Sequence, residues 1–503
     1  MIWRWVLSIG TITVLAFVGL LWFAGQLYAT AQQREVTYRY FSEALVDLAA
    51  QKSIVSWELA ERPLDRPLSK ADEIIVGEAL TVAWQSFGVA LEKGTPEILQ
   101  DRFSQVALER AQTAASDPTG MGMVVLDMKA KPAFYHSDGS VLQIEAEALT
   151  ARYAFNEDQV AFHGLSTDQV TTTLLNGANG WKVAMHKQTD AKPVAKRSTT
   201  TQVPRLAGIN YYPAETPWTL FWPNLRRATL DEDFALISEL GANAIRIFLQ
   251  RDAFTGPQML EENLPKLRGL LQAAERQGLW VVPTLFDLRG GYETAYWTDD
   301  YLSLLRILPI LDAAPNVAYV DLKNEPDLDF EAHSRGIVEA WARTMLGAAR
   351  KITPDLPFTI GWAKAEAATV LMDELDILSY HAYGELEQSQ QKLNDILTKA
   401  GNKPVHITEL GATSFNLFAG IPSSPALQAK AVEDRIMALD GAEGLFLWTL
   451  HDFPEPDKAA IGGSPWVRAL QAEYGLLDAT GAEKPAANVV REYFNSFLEN
   501  PDG

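Results

Sequence analysis

The stretch NVAYVDLKNEPDLDF, residues 316–330, decides the fold because a strand-like run ends abruptly in polar residues. Its first part, VAYVDL, is rich in apolar, β-branched and aromatic residues, which is typical of a buried strand. Asn324 and Glu325 follow, and Pro326 ends the strand because proline cannot donate a ladder hydrogen bond. If this strand belongs to a parallel barrel, the amide and the carboxylate are explained, because the carboxyl ends of barrel strands are where chemistry is placed.

From residue 206 onward, predicted strands alternate with predicted helices. Eight such units over roughly 300 residues predict a (β/α)8 TIM barrel of the α/β class, with a doubly wound open sheet as the alternative. One helix is predicted to start at Thr229, with Glu232 completing a capping box, and to end at Gly241. The strand runs are LAGINYY (206–212), NAIRIFL (243–249), LWVVPTLFD (279–287), VAYVDLKNE (317–325), FTIGWA (358–363), ILSYHAY (377–383), PVHITELG (404–411) and GLFLWTLHDF (444–453).

The part of the chain before the barrel has a different organisation. Residues 33–189 carry helical spacing first and extended segments with turn signals afterwards, which predicts a smaller α+β domain. This order is similar to the cone-shaped fold of nuclear transport factor 2. Residues 190–205 are polar and basic and predict a linker. His136, His163 and His186 lie in separate segments, so we expect no catalytic or metal cluster in this domain.

A long uncharged run lies near the amino terminus. No charged residue occurs between Trp5 and Gln33, and residues 5–29 are long enough to cross a bilayer as a helix. Arg4 precedes this run and predicts a cytoplasmic start with the remainder exported. The small residues ATA at 29–31 leave a cleaved signal peptide as the alternative. We expect a single-pass anchor in a bacterial inner membrane with the barrel in the periplasm, or a secreted protein if the segment is cleaved.

Composition excludes several classes of function. The 503 residues predict more than one domain. The net charge of −21 argues against nucleic acid as a partner. The chain has no cysteine, which excludes disulfides and cysteine-ligated metals, and no calcium-loop spacing occurs, so we expect no metal and no cofactor.

Polar residues at the predicted strand ends form one constellation, because these ends converge on a single face of a barrel. Glu325 ends the fourth strand and Glu409 lies at the end of the seventh. A pair of carboxylates with separated pKa values is what glycoside hydrolysis requires. The other polar or aromatic residues at strand ends are Arg246, Asn324, His381, Tyr383 and Trp448.

Residues 206–497 resemble the retaining (β/α)8 glycosidases, in particular the cellulase-like glycoside hydrolase family 5. NEP at 324–326 is similar to the acid/base motif of that family, and ITELG at 407–411 is similar to its nucleophile motif. The resemblance implies that Glu325 is the acid/base and Glu409 the nucleophile. It further implies an arginine beside the nucleophile at Arg246, a contact to the sugar 2-hydroxyl at Asn324, a His-x-Tyr pair at His381 and Tyr383, and a floor under the central sugar at Trp448.

One position departs from the family pattern. Many family members carry a histidine near the end of strand three, where this sequence has Phe286 and Asp287. We therefore expect sugar recognition around the central site to differ. Five aromatic residues in the loops after strands one and three are candidate sugar platforms: Trp218, Phe221, Trp222, Tyr296 and Trp297.

Together the glutamate pair and the resemblance predict a membrane-anchored retaining glycoside hydrolase or transglycosylase. The expected substrate is a β-linked polysaccharide such as a β-glucan or mannan, in the setting of exopolysaccharide processing, with synthesis or export proteins as partners. The alternative is an inactive polysaccharide-binding scaffold of such an assembly. An inactive barrel often lacks one of the two glutamates, and both are present here.

Overall fold

The computed structural model describes residues 53–116, 121–156, 159–194, 203–418 and 420–499. The anchor predicted at residues 5–29 lies outside the described residues, as do residues 195–202 of the predicted linker.

Residues 53–194 form a five-stranded sheet with two helices, an α+β layout. The elements are β1 (Val55–Trp57), α1 (Lys70–Lys93), α2 (Gln105–Ala115), β2 (Met121–Tyr135), β3 (Val141–Asn156), β4 (Gln159–Gly177) and β5 (Gly180–Pro193). Strands β2 to β5 form an antiparallel meander, and β1 pairs in parallel with β2. Because β5 continues to Pro193, the first residues of the predicted linker belong to this strand.

Helix α1 is the core helix of this sheet. It starts at a capping box in which Ser69 and Asp72 satisfy each other's backbone N–H groups, and it ends at Gly94 with a φ of +64°. By length and composition the helix is apolar enough to cross a membrane, but half of its apolar stretch is buried inside the protein. Leu80 and Trp84 are among its buried residues, so its apolar face is explained by packing.

Eight parallel strands close into a barrel, which confirms the fold that the strand and helix rhythm predicted. The strands are β6 (Leu206–Asn210), β7 (Ala244–Gln250), β8 (Trp280–Asp287), β9 (Val320–Asn324), β10 (Phe358–Trp362), β11 (Leu378–His381), β12 (Val405–Leu410) and, after a hairpin of β13 (Asn416–Phe418) and β14 (Ile421–Pro422), β15 (Gly444–Trp448). Each barrel strand pairs with the next, and β15 returns to β6. The strands are almost entirely buried because helices cover the outside and side chains fill the inside.

Helices surround the barrel: α3 (Phe221–Asn224), α4 (Arg227–Glu239), α5 (Pro257–Arg276), α6 (Trp297–Asp312), α7 (Phe330–His333), α8 (Arg335–Ile352), α9 (Leu386–Ala400), α10 (Pro425–Met437), α11 (Lys458–Ile461), α12 (Pro465–Ala472) and α13 (Pro485–Glu499). The capping box predicted at Thr229 and Glu232 is wrong. Helix α4 starts earlier because the backbone N–H of Leu230 already donates to the carbonyl of Arg226 at 3.2 Å. It ends before Gly241, whose φ of +79° fits the predicted stop.

The α+β domain packs directly on the barrel. Leu126, Tyr153 and Leu165 of its sheet belong to the same hydrophobic core as the barrel helices. A Cβ atom on Gly347 of α8 would lie 2.8 Å from the Leu165 side chain, so this glycine permits the close approach. One side of the sheet therefore joins the core of the barrel domain, whereas Leu80 and Trp84 belong to a separate core inside the α+β domain.

Candidate active site

The carboxylate of Glu409 lies at the end of β12 and is held by two donors. Arg246 Nη1 donates to Glu409 Oε1 at 2.7 Å, and the Tyr383 hydroxyl donates to Glu409 Oε2 at 3.2 Å. Glu409 is buried, so these two donors replace much of the water that an exposed carboxylate would have. The two donors also fix the orientation of the carboxylate.

Arg246 is the centre of a buried ion network in the barrel. Its side chain is 0% exposed, and its Nη2 donates to Asp321 Oδ2 at 2.7 Å and to Asn324 Oδ1 at 2.8 Å. Burial acts to lower the pKa of Arg246, but the neighbouring charges and hydrogen bonds of Asp321 and Glu409 raise it above the usual value. The guanidinium has room because position 361 is glycine: a Cβ atom there would lie 3.0 Å from Nη2.

Glu325 occupies a strained backbone position directly after β9. Its φ is +49°, in the left-handed region that non-glycine residues rarely adopt, and its N–H donates to the carbonyl of Gly361 at 2.7 Å. Its side chain is 28% exposed and therefore reaches open space. The strain turns the Glu325 carboxylate from the strand direction into the mouth of the barrel.

His381 contacts both carboxylates from behind. Its Nδ1 lies 2.8 Å from Glu325 Oε1 and 3.6 Å from Glu409 Oε2, and the ring is fully buried. Among the described residues, its Nε2 has no hydrogen-bond partner. The hydrogen-bond partner of the ring is therefore Glu325. His381 is not among the cavity-lining residues, so it supports the site from beneath the cavity surface.

The two residues shift each other's pKa. Burial acts to raise the pKa of Glu325, but the hydrogen bond and charge of His381, with the charges of Arg246 and Lys323, bring it below the ordinary value. Burial acts to lower the pKa of His381, whereas the charge of Glu409 and the bond to Glu325 raise it above the ordinary value. These two directions favour a carboxylate on Glu325 beside an imidazolium on His381.

Glu325, Glu409 and His381 converge closely. One oxygen of each glutamate and one nitrogen of His381 all lie within 4.8 Å of one another. Such a trio offers three ligand atoms to a cation. However, both Glu409 oxygens already accept hydrogen bonds from Arg246 and Tyr383, so this carboxylate has its charge offset by the protein itself.

A cavity of about 450 Å³ opens above these groups. This volume lies in the range of small-molecule sites. Trp448 lines one side of the cavity, and its Nε1 donates to Gln471 Oε1 at 3.3 Å. Other lining residues are Tyr212, Trp218, Asp287, Asn324, Arg435 and Tyr474. A ring-shaped ligand in this cavity would meet an aromatic face and carboxylates together.

The five candidate sugar platforms differ in whether they line the cavity. Trp218 lines the cavity. Phe221, Trp222 and Trp297 are fully buried, so their prediction as platforms is wrong. Trp222 donates to the carbonyl of Phe248, and Trp297 packs against the α+β domain. Tyr296 lies under the guanidinium of Arg251, 5.0 Å from the ring centroid, and is not among the cavity-lining residues.

Sequence reasoning missed Asp321 and did not assign a role to Asp287. Asp321 is fully buried and binds the guanidinium of Arg246 through Nε and Nη2. A signal for it existed, since one acid interrupts the otherwise apolar run VAYVDL. Asp287 is also buried and lines the cavity. Six of the seven predicted site residues lie at or directly beyond the carboxyl ends of barrel strands: Asn324, Glu325, His381, Tyr383, Glu409 and Trp448. The prediction was wrong for Arg246, which is the third residue of β7 and reaches Glu409 because its side chain is long.

No protein-family model matches this chain, and no curated protein matches it. An exo-beta-1,4-mannosidase from Opitutaceae bacterium strain TAV5 has a similar structure, with 21% identity and a TM-score of 0.49 over 59% of this chain and 60% of that one. GH5_18 from Streptomyces cattleya in complex with GlcNAc has 17% identity and a TM-score of 0.47, over 59% of this chain and 81% of that one. A GH2 beta-galacturonidase from Eisenbergiella tayi bound to galacturonate has 15% identity and a TM-score of 0.47, over 74% and 72%. This chain thus spans less than two thirds of the mannosidase.

Proposed function

We propose that the protein is a retaining glycoside hydrolase that acts on a β-linked glycan. The observation that carries the proposal is the spacing of Glu325 and Glu409, whose oxygens approach within 4.8 Å. Retaining enzymes place their carboxyl groups about 5–5.5 Å apart, whereas inverting enzymes leave roughly 6.5–9.5 Å for a water molecule. The 4.8 Å bound applies to one oxygen of each glutamate, and this close approach supports the arrangement in which one carboxylate attacks the sugar directly.

In the first step, Glu409 attacks the anomeric carbon and forms a covalent glycosyl ester. Glu325 gives its proton to the leaving oxygen as the glycosidic bond breaks. Arg246 and Tyr383 orient Glu409 for the attack through their hydrogen bonds. Trp448 supplies an apolar face for the sugar ring.

In the second step, Glu325 takes a proton from water, and the resulting hydroxide attacks the same carbon. The ester to Glu409 breaks, and the sugar leaves with its original configuration. An acceptor hydroxyl in place of water gives transglycosylation by the same two residues.

His381 supplies the proton that Glu325 needs. The free pair holds one proton across a contact of 2.8 Å. A bound sugar displaces water from the cavity and so disfavours the separated charges of a carboxylate and an imidazolium. The proton then moves to Glu325, where it is needed for the leaving group.

We further propose a β-glucan or β-mannan as substrate, in exopolysaccharide processing, with the chain held at the outer face of a bacterial inner membrane. These parts rest on the sequence, in particular on the uncharged run at residues 5–29 behind Arg4. Protease added to intact spheroplasts should digest the barrel. Full protection until lysis would reject this orientation.

The test of the activity is turnover by the purified full-length protein on β-glucans, β-mannans and activated aryl β-glycosides. Glu409→Ala should abolish turnover. Glu325→Ala should retain activity mainly on the aryl glycosides, whose leaving groups need little protonation, and added azide should restore turnover and yield a β-glycosyl azide.

Glu443→Ala is the matched control, because Glu443 is exposed and precedes β15 at the opposite end of the barrel. It should keep wild-type activity. Wild-type activity of Glu409→Ala would contradict the assignment of the nucleophile. Glycan binding without turnover in the wild type would instead support a polysaccharide-binding scaffold.

A further inference from the structure

A third carboxylate, that of Asp287, reaches the cavity from the end of β8. Asp287 is only 3% exposed, yet it lines the same cavity as Glu325 and Glu409. Strand β8 lies beside β9, which ends in Asn324. The mechanism proposed above uses the two glutamates and leaves Asp287 without a role.

The backbone around Asp287 is strained on both sides. Phe286 has a φ of +48° and Leu288 a φ of +56°, although neither is glycine. Glu325 has the same feature, with a φ of +49°. Bulky residues rarely adopt this region, and such strain is concentrated at functional sites, where it aims a side chain. Strain on both sides of Asp287, as at Glu325 itself, indicates that the position of Asp287 is a requirement of the site.

The Asp287 carboxylate also has spare hydrogen-bonding capacity. Among the described residues, its donors are the Tyr212 hydroxyl at 3.3 Å and the backbone amide of Leu288. Tyr212 in turn accepts a bond of 2.6 Å from Gln250. A carboxylate offers about four acceptor sites, so Asp287 can accept further donors from the cavity.

Nearby charges decide which kind of donor fits. Burial raises the pKa of Asp287 to about 6, against the lowering charges of Lys323 and Arg246. These two cations already offset part of its charge, so a cationic donor would be repelled. Lys323 donates to the carbonyl of Asn324 at 2.9 Å, leaving the free side of Asp287 open to neutral donors.

We propose that Asp287 is the specificity-determining residue of the sugar pocket, where its carboxylate accepts hydrogen bonds from two adjacent hydroxyls of the bound sugar. The proposal rests on the proposed function. Glu325 and Glu409 flank the anomeric carbon, and Asn324 on the strand beside Asp287 faces the 2-hydroxyl. Asp287 then accepts hydrogen bonds from the 3- and 4-hydroxyls, which follow the 2-hydroxyl around the sugar ring. The ligand class is a neutral sugar with both hydroxyls free.

The test compares monodeoxy aryl β-glycosides on the wild type and on Asp287→Asn, using the sugar that the wild type hydrolyses best. We expect the wild type to lose roughly 10²-fold or more in kcat/KM on removal of the 3- or 4-hydroxyl, since a buried charged acceptor is left unpaired. Asp287→Asn should lower this discrimination to about tenfold or less. Asp287→Ser serves as a second variant if the first does not fold.

Two controls separate recognition from structure. Asp329→Asn changes an acid that also faces Lys323, at 3.5 Å, but does not line the cavity, and it should leave the discrimination unchanged. The 2-deoxy glycoside should lose the same factor with wild type and Asp287→Asn. A structural role for Asp287 would lower all rates together and leave the ratios unchanged, which would overturn the proposal.

Other outcomes are equally decisive. A preference for an amino sugar that depends on Asp287 would overturn the assignment to hydroxyls. If the wild type hydrolyses no glycoside, the proposed activity is contradicted. Binding of the parent and deoxy methyl glycosides is then measured by calorimetric titration in place of kinetics. Binding that loses its hydroxyl dependence in Asp287→Asn would then support the proposal, and absence of binding would overturn it.

Discussion

At the scale of single residues, the two glutamates differ in their hydrogen-bond partners. Its guanidinium bonds Glu409 at 2.7 Å, whereas Glu325 has His381 as its partner. A guanidinium stays charged and stabilises a neighbouring anion, whereas a protonated imidazole can transfer its proton to a neighbouring carboxylate. This difference in partners supports the proposed roles, with Glu409 as nucleophile and Glu325 as acid/base.

The first prediction concerns the stability that Arg246 provides. Arg246→Gln leaves the buried carboxylates of Asp321 and Glu409 without their cation, which should lower the free energy of unfolding by about 3–5 kcal/mol. Urea unfolding measures the change. The control Arg276→Gln removes an exposed ion pair with Asp231 and should cost at most about 1 kcal/mol. Equal effects of the two variants would contradict the buried network.

A second prediction concerns the pH dependence of activity. The proton shared by Glu325 and His381 is lost only above the raised pKa of His381, so this pKa sets the alkaline limb of kcat/KM. In His381→Asn the proton must lie on Glu325 alone, and the alkaline limb should move to lower pH. His136→Asn, on an exposed turn of the α+β domain, should leave the profile unchanged. An alkaline limb that stays in place in His381→Asn would remove His381 from the proton path.

At the scale of elements, one acid of helix α6 ties two loops of the barrel mouth together. Asp300 accepts from Arg251 Nε at 3.0 Å and from Trp341 Nε1 at 2.9 Å, and it also binds Arg289. Arg251 follows β7 and Arg289 follows β8, two residues beyond Asp287. The helix thus fixes the loop that carries the third acid of the cavity.

The third prediction follows from this arrangement. Asp300→Asn leaves Arg289 buried without its anion and leaves Arg251 with only the exposed Asp252, so we expect a loss of about 3–5 kcal/mol in the free energy of unfolding. Denaturant unfolding measures it. Asp312→Asn, at the exposed end of the same helix, should change stability by no more than about 0.5 kcal/mol. Similar stability of both variants would show that the loops are held by other contacts.

The elements also show what the sequence could and could not predict. Apolar strand runs gave the eight barrel strands, and their polar ends gave Glu325 and Glu409. Trp222 and Trp297 were misread because an aromatic residue in a loop looks the same whether it packs or binds. Asp300 had no signal, since its partners Arg251 and Trp341 are distant in sequence and only the fold brings them together.

At the scale of the whole molecule, the α+β domain reaches the loop that follows Asp287. Glu92, near the end of α1, accepts from the Thr294 backbone N–H at 3.0 Å and from its hydroxyl at 2.8 Å. Helix α8 is buried on most of its circumference because the sheet covers its outer side. The sequence did not predict that the sheet packs on helix α8. A helix that packs between two cores has the same kinds of apolar residues as a helix that packs against one core.

The fourth prediction tests this support. Glu92→Ala removes both bonds to Thr294 and should lower kcat/KM by roughly tenfold, since two hydrogen bonds contribute about 1–2 kcal/mol to the position of the loop. Steady-state kinetics with an aryl β-glycoside measures the effect. Glu78→Ala, on the exposed side of the same helix, should match the wild type. Unchanged kinetics in Glu92→Ala would mean that the domain does not act on the site.

The most direct test of the account is the configuration of the first-formed product. One oxygen of Glu325 and one oxygen of Glu409 lie within 4.8 Å of each other, and this close approach supports the retaining mechanism proposed above. Proton NMR of the early hydrolysis of the best aryl β-glycoside distinguishes the two anomers before they interconvert. We predict that the β-anomer forms first and that Glu409→Ala forms no product. An α-anomer as the first product would contradict the account.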